Sequence, residues 1–235
     1  MQKTDLESAV APLHHIQKKS NFRLVIGNKN YSSWSMRPWL VMKSFGIPFE
    51  EIMILLDQPD TTQRITEYSL CGRVPVLLAD ELVIWDSLAI CEYLAERFPL
   101  QNLWPENVAA RATARSICAE MHSGFSQLRG AMPMNIKANF NGKGRNAGSQ
   151  ADIGRISEIW EECLATYGAH RFLFGDFSIA DAFFAPVVMR FKTYGVSLAP
   201  ALQAYCERIE AHPAVIAWVQ QALAESDGLP KFDFP

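Results

Sequence analysis

The sequence predicts an α/β unit followed by an all-α unit: a small mixed sheet with helices on its faces, then a helical bundle. Three observations lead there. Up to about residue 100, short β-prone apolar runs alternate with helical spacings in the order β-α-β, a variable polar segment, then β-β-α. From Pro105 onward the strand-like runs vanish and apolar residues recur every three or four positions. Leu103-Trp104-Pro105 marks the change, which divides the chain into residues 1–21, 22–100 and 105–235.

Each element has its own signature. Residues 1–21 lack the continuous apolar core of a signal peptide and read as a flexible extension or a short extra helix. Leu24-Val25-Ile26 is a brief strand that stops at Gly27-Asn28. Arg37 to Phe45 carries helical spacing and closes at Gly46, a helix C-terminal signal. Phe49 to Leu56 returns to strand. Val74 to Leu78 and Leu82 to Trp85 flank a tight acidic turn and form a hairpin. Leu88, Cys91, Tyr93-Leu94 and Phe98 supply a helix. A parallel first pair requires a right-handed crossover, and the hairpin adds an antiparallel edge. Beyond the boundary, one helix is expected over Ala109 to Leu128 and a loop over Asn139 to Gln150. Four further helices follow: one through Ile153 to Tyr167, then Ala180–Tyr194, Ala201–Ala211 and Ala214–Ala224.

Composition narrows the function. At 235 residues the chain is long for one domain and natural for two. Hydrophobic residues at 49% and charged ones at 20% suit a globular protein with a substantial core. Net charge is -3 with no basic run, which argues against nucleic acid and anionic membrane as partners. No apolar stretch approaches the ~20 residues that span a bilayer. Five widely spaced cysteines without a Cys-x-x-Cys argue for reduced thiols in the cytoplasm, against disulfides and against a metal cage. Cys91, Cys163 and Cys206 fall in helical patterns as small apolar fillers.

Three short segments have chemical potential. Asn28 to Trp39 leaves the first strand and enters the first helix, with Pro38 placed for a first turn, so Ser32 and Ser33 lie at or just before a helix N-terminus. Free N–H groups and the positive dipole end favour an anion there. A hydroxyl at that point can stabilise a thiolate; a thiol near pKa 8.5 is largely ionised at neutral pH after a shift of about two units. Taken alone, Ser32, Ser33 and Ser35 read more simply as helix caps. In Arg73-Val74-Pro75-Val76 a proline opens a strand; a cis bond would free the Val74 backbone to pair with an extended peptide, although trans is the commoner state. In Trp85-Asp86-Ser87, Asp86 or Ser87 caps a helix whose N–H groups can hold a carboxylate, while Asp86 can hold an ammonium. An α-amino acid group fits that pair, and capping alone also explains the residues.

Their combination and order resemble the cytosolic glutathione transferase family, from about Arg23 to the last helix. Ser32-Ser33-Trp34-Ser35-Met36-Arg37 is similar to the zeta-class Ser-Ser-Cys-Ser-x-Arg motif and closer to bacterial transferases of the Ser-Ser-Trp-Ser type. Gly175-Asp176-Phe177-Ser178-Ile179-Ala180-Asp181 resembles the family's buried capping box, which has a structural role.

The resemblance implies a thioredoxin-like N-terminal domain (βαβ-ββα), a helical-bundle C-terminal domain and a homodimer with active sites near the interface. By position, Ser32 matches the thiolate-stabilising serine and Ser33 the serine beside it. Val74 matches the residue whose backbone pairs with glutathione's cysteinyl part, and Pro75 the cis-proline. Asp86 and Ser87 match the pair that holds the γ-glutamyl end, and Arg73 or Arg64 meets the glycine carboxylate. Tyr31 is a second candidate donor, but its offset from Arg37 suits Ser32 better. Glutathione is thus the implied co-substrate, with no metal, and a hydrophobic electrophile its partner in a detoxifying conjugation. Helical-domain side chains should wall the electrophile pocket, with Met121-His122-Ser123 and Met132-Pro133-Met134-Asn135 as candidates, although a lone helical histidine is ordinarily structural. Two alternatives stand beside conjugation: a glutathione-dependent isomerase or dehalogenase (maleylacetoacetate isomerase-like), and a non-catalytic glutathione-binding module. Trp34, where zeta isomerases carry cysteine, argues against the isomerase. The absence of cysteine at Ser32 argues against omega-like thiol exchange, and the intact site set argues against the module.

Overall fold

The computed structural model describes residues 21–167, 171–226, 228, 229 and 231; the extension expected over residues 1–21 lies outside them except for Asn21. β1 (Phe22–Gly27) pairs in parallel with β2 (Glu50–Ile54) through the crossover helix α1 (Ser33–Ser44). β3 (Val76–Ala79) lies antiparallel on the other side of β1, and β4 (Leu82–Trp85) closes the hairpin through Asp80-Glu81. The strand order is β2-β1-β3-β4. Alternation along the strands sends side chains to two cores. Leu24, Ile26 and Leu77 join the large core beneath α1 and α3 (Ser87–Arg97), while Val25, Val76 and Leu78 form a smaller one on the opposite face.

That smaller core is closed by α2 (Thr61–Thr66), inside the polar segment the sequence left unassigned. A single buried side chain, Ile65, anchors it, so no periodicity announces it. A 3-10 turn over Pro99–Gln101 leads out of the sheet layer.

The helical part contains α4 (Val108–Ser123), α5 (Ser126–Ala131), α6 (Ala147–Thr166), α7 (Ile179–Tyr194), α8 (Pro200–Glu210) and α9 (Pro213–Ala224). The single helix expected over Ala109–Leu128 is two: α4 ends at Gly124, and Phe125 adopts a left-handed φ of 57°. α6 begins inside the expected loop, where Asn146 and Ser149 form a reciprocal capping box. Among the described residues no helix is long and apolar enough to cross a membrane. α7 is the bundle's central helix and packs on α4, α8 and α1. Its start is the predicted Ser178–Asp181 box: the Ser178 hydroxyl accepts from the Ala180 N–H, and the Asp181 carboxylate accepts from the Ser178 N–H at 2.9 Å. Asp181 is fully buried and also accepts from the Leu173 N–H and the Tyr205 hydroxyl. α1 also packs on α9, so the sheet layer and the bundle meet along α1.

Candidate functional site

The turn from β1 into α1 differs from the expectation. α1 starts at Ser33, four residues before Arg37, so Pro38 sits inside the helix, beyond its first turn. Ser32 occupies the N-cap position, yet its hydroxyl caps no backbone N–H; it donates to the Ser35 Oγ at 2.7 Å, which in turn accepts from the Gly27 N–H. The Ser33 Oγ accepts from the buried Arg190 guanidinium at 3.1 Å. Side-chain capping therefore does not account for Ser32 or Ser33.

The turn is held from behind by residues far along the chain. The Trp218 indole donates to the Lys29 carbonyl at 3.0 Å, and the Asn30 side chain donates to Asn135 at 2.9 Å. The Glu225 carboxylate accepts from the Lys29 N–H at 2.5 Å and the Asn30 N–H at 3.1 Å. Leu229 donates its N–H to the Tyr31 hydroxyl oxygen at 3.0 Å, so Tyr31 faces the C-terminal tail.

In front of α1 lies a cavity of about 700 Å³. Arg73, Val74, Pro75, Asp86 and Ser87 all line it, and the Val74-Pro75 bond is cis. Three segments that are separate in sequence thus reach one space. Trp34 lines it too, as does His122 of α4. Ser32 and Ser33 are not among its lining residues; they are 6% and 7% exposed at the helix end that carries Trp34. Arg64 does not line it. Of the seven residues expected to wall an electrophile pocket, His122 lines this cavity and the other six do not; Met121, Met132 and Met134 are core side chains and Asn135 bonds the serine turn.

Asp86 has a left-handed φ of 77° and uses Oδ1 to cap α3 through the Leu88 and Ala89 N–H groups. Its Oδ2 meets the His122 Nε2 at 3.0 Å, a bridge from the bundle to the sheet layer. Burial holds the His122 imidazole below its ordinary value despite that carboxylate. His122 also packs edge-on against Trp34, with ring centroids 5.1 Å apart. Two guanidiniums lie over the same indole, Arg37 at 4.2 Å and Arg129 at 4.7 Å. Arg37 is buried, reaches the Ser87 hydroxyl at 3.4 Å, and is pushed down to about 9 by burial and by Arg129 and Arg190.

Residues 31–97 match the glutathione S-transferase N-terminal domain and residues 143–221 its C-terminal domain. The chain belongs to the glutathione S-transferase family. Its fold is a thioredoxin-like domain followed by a helical one, as in a glutathione transferase homologue from Burkholderia with bound glutathione. That structure is 27% identical at a TM-score of 0.67, over 87% of this chain and 100% of that one. The maleylacetoacetate isomerase of Rattus norvegicus is 28% identical over 171 residues, 72% of this chain and 77% of the relative. A stringent starvation protein A homologue from Pasteurella multocida is 26% identical over 178 residues, 72% and 77% respectively.

Within this transferase-family chain, sequence reasoning missed Cys71 and Trp85 at the cavity and Arg129 and Arg190 behind it. Arg190 had a visible cue: a charge near the end of an otherwise apolar stretch, Ala182 to Phe191.

Proposed function

We propose that this chain is a glutathione transferase that conjugates glutathione to a hydrophobic electrophile through a thiolate stabilised at Ser32 and Ser33. The observation that carries the reading is the convergence of the cis Val74-Pro75 bond, the Asp86-Ser87 helix start and Trp34 on one cavity beside the start of α1. The Val74 backbone pairs with the cysteinyl part of an extended tripeptide. Asp86 takes the γ-glutamyl ammonium and Ser87 its carboxylate, with His122 bracing Asp86, and Arg73 takes the glycine carboxylate. The α1 N-terminus and the serine hydroxyls favour the sulfur anion; moving a thiol's pKa down by two units corresponds to about 2.7 kcal/mol. Ser32 donates to the sulfur when Ser35 donates to Ser32 in its place, a reversal open to paired hydroxyls.

Residues 22–100 form the glutathione-binding domain and 105–235 the helical domain in this reading, acting in the cytoplasm as a homodimer. The exposed Leu70, Val83 and Trp85 beside the cavity supply an apolar face for the second copy; a monomer in size-exclusion chromatography with light scattering would remove that part. A glutathione-dependent isomerase is the second reading, favoured by the isomerase relative and opposed by Trp34 in place of cysteine.

Retention on immobilised glutathione, lost in Asp86→Ala, tests the binding site. Turnover of an aryl halide compared between the parent and Ser32→Ala tests the chemistry. An unchanged rate and thiol titration in Ser32→Ala would transfer the role to Ser33. Turnover of a maleylacetoacetate analogue without aryl-halide conjugation would select the isomerase.

A further inference from the structure

Arg190 is buried among Val187, Val188, Met189 and Phe191 of α7. Its Nε donates to the Met132 carbonyl at 3.0 Å, its Nη1 to the Pro186 carbonyl at 3.2 Å and its Nη2 to the Ser33 Oγ at 3.1 Å. Among the described residues no carboxylate pairs with it, nor with Arg37 or Arg129. Asp152 attracts Arg129 without pairing with it, and Asp86 is engaged by His122. Three guanidiniums therefore crowd one helix end. Burial, then repulsion from Arg129, pushes Arg190 down to about 10. A buried cation that lacks a counter-ion is a large expense unless an anion arrives to pair with it.

The direction of the Ser33 bond matters as much as the charge. A guanidinium only donates, so the Ser33 oxygen is the acceptor and its own proton points elsewhere. Among the described residues no acceptor takes that proton.

We propose that Arg190 is a positioning residue of the thiolate site: it fixes Ser33 with its proton aimed at the glutathione sulfur. The inference rests on the proposed function. Ionisation releases the thiol proton to solvent; Ser33 keeps its own and donates a hydrogen bond, so no side chain acts as base. Arg190 touches neither substrate and works through Ser33.

The test follows the thiol titration of bound glutathione by ultraviolet absorbance in the parent, Arg190→Lys, Arg190→Met, Ser33→Ala and the Ser33→Ala/Arg190→Met double variant. Circular dichroism and the glutathione Kd are measured on each. In the parent the thiol should ionise well below free glutathione. Arg190→Met should raise the midpoint by about one unit, from about 6.5 to about 7.5, leaving roughly threefold less thiolate at pH 7, with kcat falling in proportion and recovering at high pH. Arg190→Lys should fall between, and Arg190→Met should add little once Ser33 is alanine. A folded, glutathione-binding Arg190→Met with the parent's titration would overturn the inference. If Arg190→Met fails to fold, Ser33→Ala breaks the same link without emptying α7, and an unshifted titration there overturns it equally. A parent that neither binds nor ionises glutathione would instead sink the functional reading beneath.

Discussion

Replacing Asp181 with alanine probes the element that seats α7 against the rest of the molecule. The carboxylate is fully buried and accepts from the Ser178 N–H at 2.9 Å and from the Leu173 N–H, the Tyr205 hydroxyl and the Ser178 hydroxyl at 3.1 Å each. Alanine leaves two backbone N–H groups and a buried phenol without acceptors, at about 1–3 kcal/mol each. Against this stands the burial of the carboxylate itself, which pushes its pKa up from 3.8 to about 6, or about 3 kcal/mol at neutral pH. The net loss is therefore about 3 kcal/mol, a Tm lower by roughly 6–12 °C for a chain of this size. A raised acid contributes stability that is fully present below its unfolded pKa and is lost as pH rises through the folded one. The loss in Asp181→Ala should therefore be greater at pH 5 than at pH 7.5, by roughly 1 kcal/mol. Thermal unfolding at both pH values reads this directly. A Tm within 2 °C of the parent (about 0.5–1 kcal/mol) would refute the assignment of this network as the anchor of α7. Activity per folded molecule should not change, since Asp181 does not line the cavity.

Other perturbations act elsewhere. Glu225→Ala removes the acceptor for the Lys29 and Asn30 N–H groups and should open the serine turn by about 2–3 kcal/mol, read as faster amide exchange at those two residues; parental protection there contradicts the tether. His122 is held below its ordinary value by burial, so the native state binds fewer protons than the unfolded one between that lowered value and 6.5. Stability should therefore fall as pH drops through that window, and His122→Gln should flatten the slope in urea unfolding, leaving the share of His212, which burial also lowers. An identical slope would refute this. Gly144 has a φ of +70° and its added Cβ would lie 2.4 Å from the Ala131 carbonyl oxygen, so Gly144→Ala should destabilise by about 1–3 kcal/mol, against a parental Tm if the loop can yield.

The architecture was readable wherever apolar spacing ran over several turns, as in α6 and α7, or where strands were short and β-branched. It was unreadable at α2, whose lone apolar anchor Ile65 makes no pattern, and at the α4–α5 break, where the apolar series continues across Gly124-Phe125. Pro38 misled because proline favours a helix's first turn, whereas here the buried Met36, Trp39 and Leu40 keep the helix going past it. Val74, Pro75, Asp86 and Ser87 stand beside strand and helix starts, where local signals were weak singly and gained weight from their order and the family resemblance. Arg73 came from that resemblance alone, beside Arg64; all five line the cavity and Arg64 does not. The His122–Asp86 and Arg190–Ser33 contacts were not legible, since tertiary packing alone makes them, although His122 was a candidate wall residue. The methionines taken for a pocket wall lie in the core because apolar volume is needed there too.

The tethering of the serine turn also sets an order of events in time. A chain emerging from the ribosome makes β1 and the Asn28–Tyr31 turn early, but Asn135, Trp218, Glu225 and Leu229, which hold that turn, appear later, three of them 189 to 198 residues beyond their partners. A nascent chain halted before Trp218 would carry every residue of the cavity and still lack three of the four restraints on the turn. The site is completed only once α9 and the segment after it have emerged, and a cleavage between Trp218 and Leu229 would be felt at Ser32.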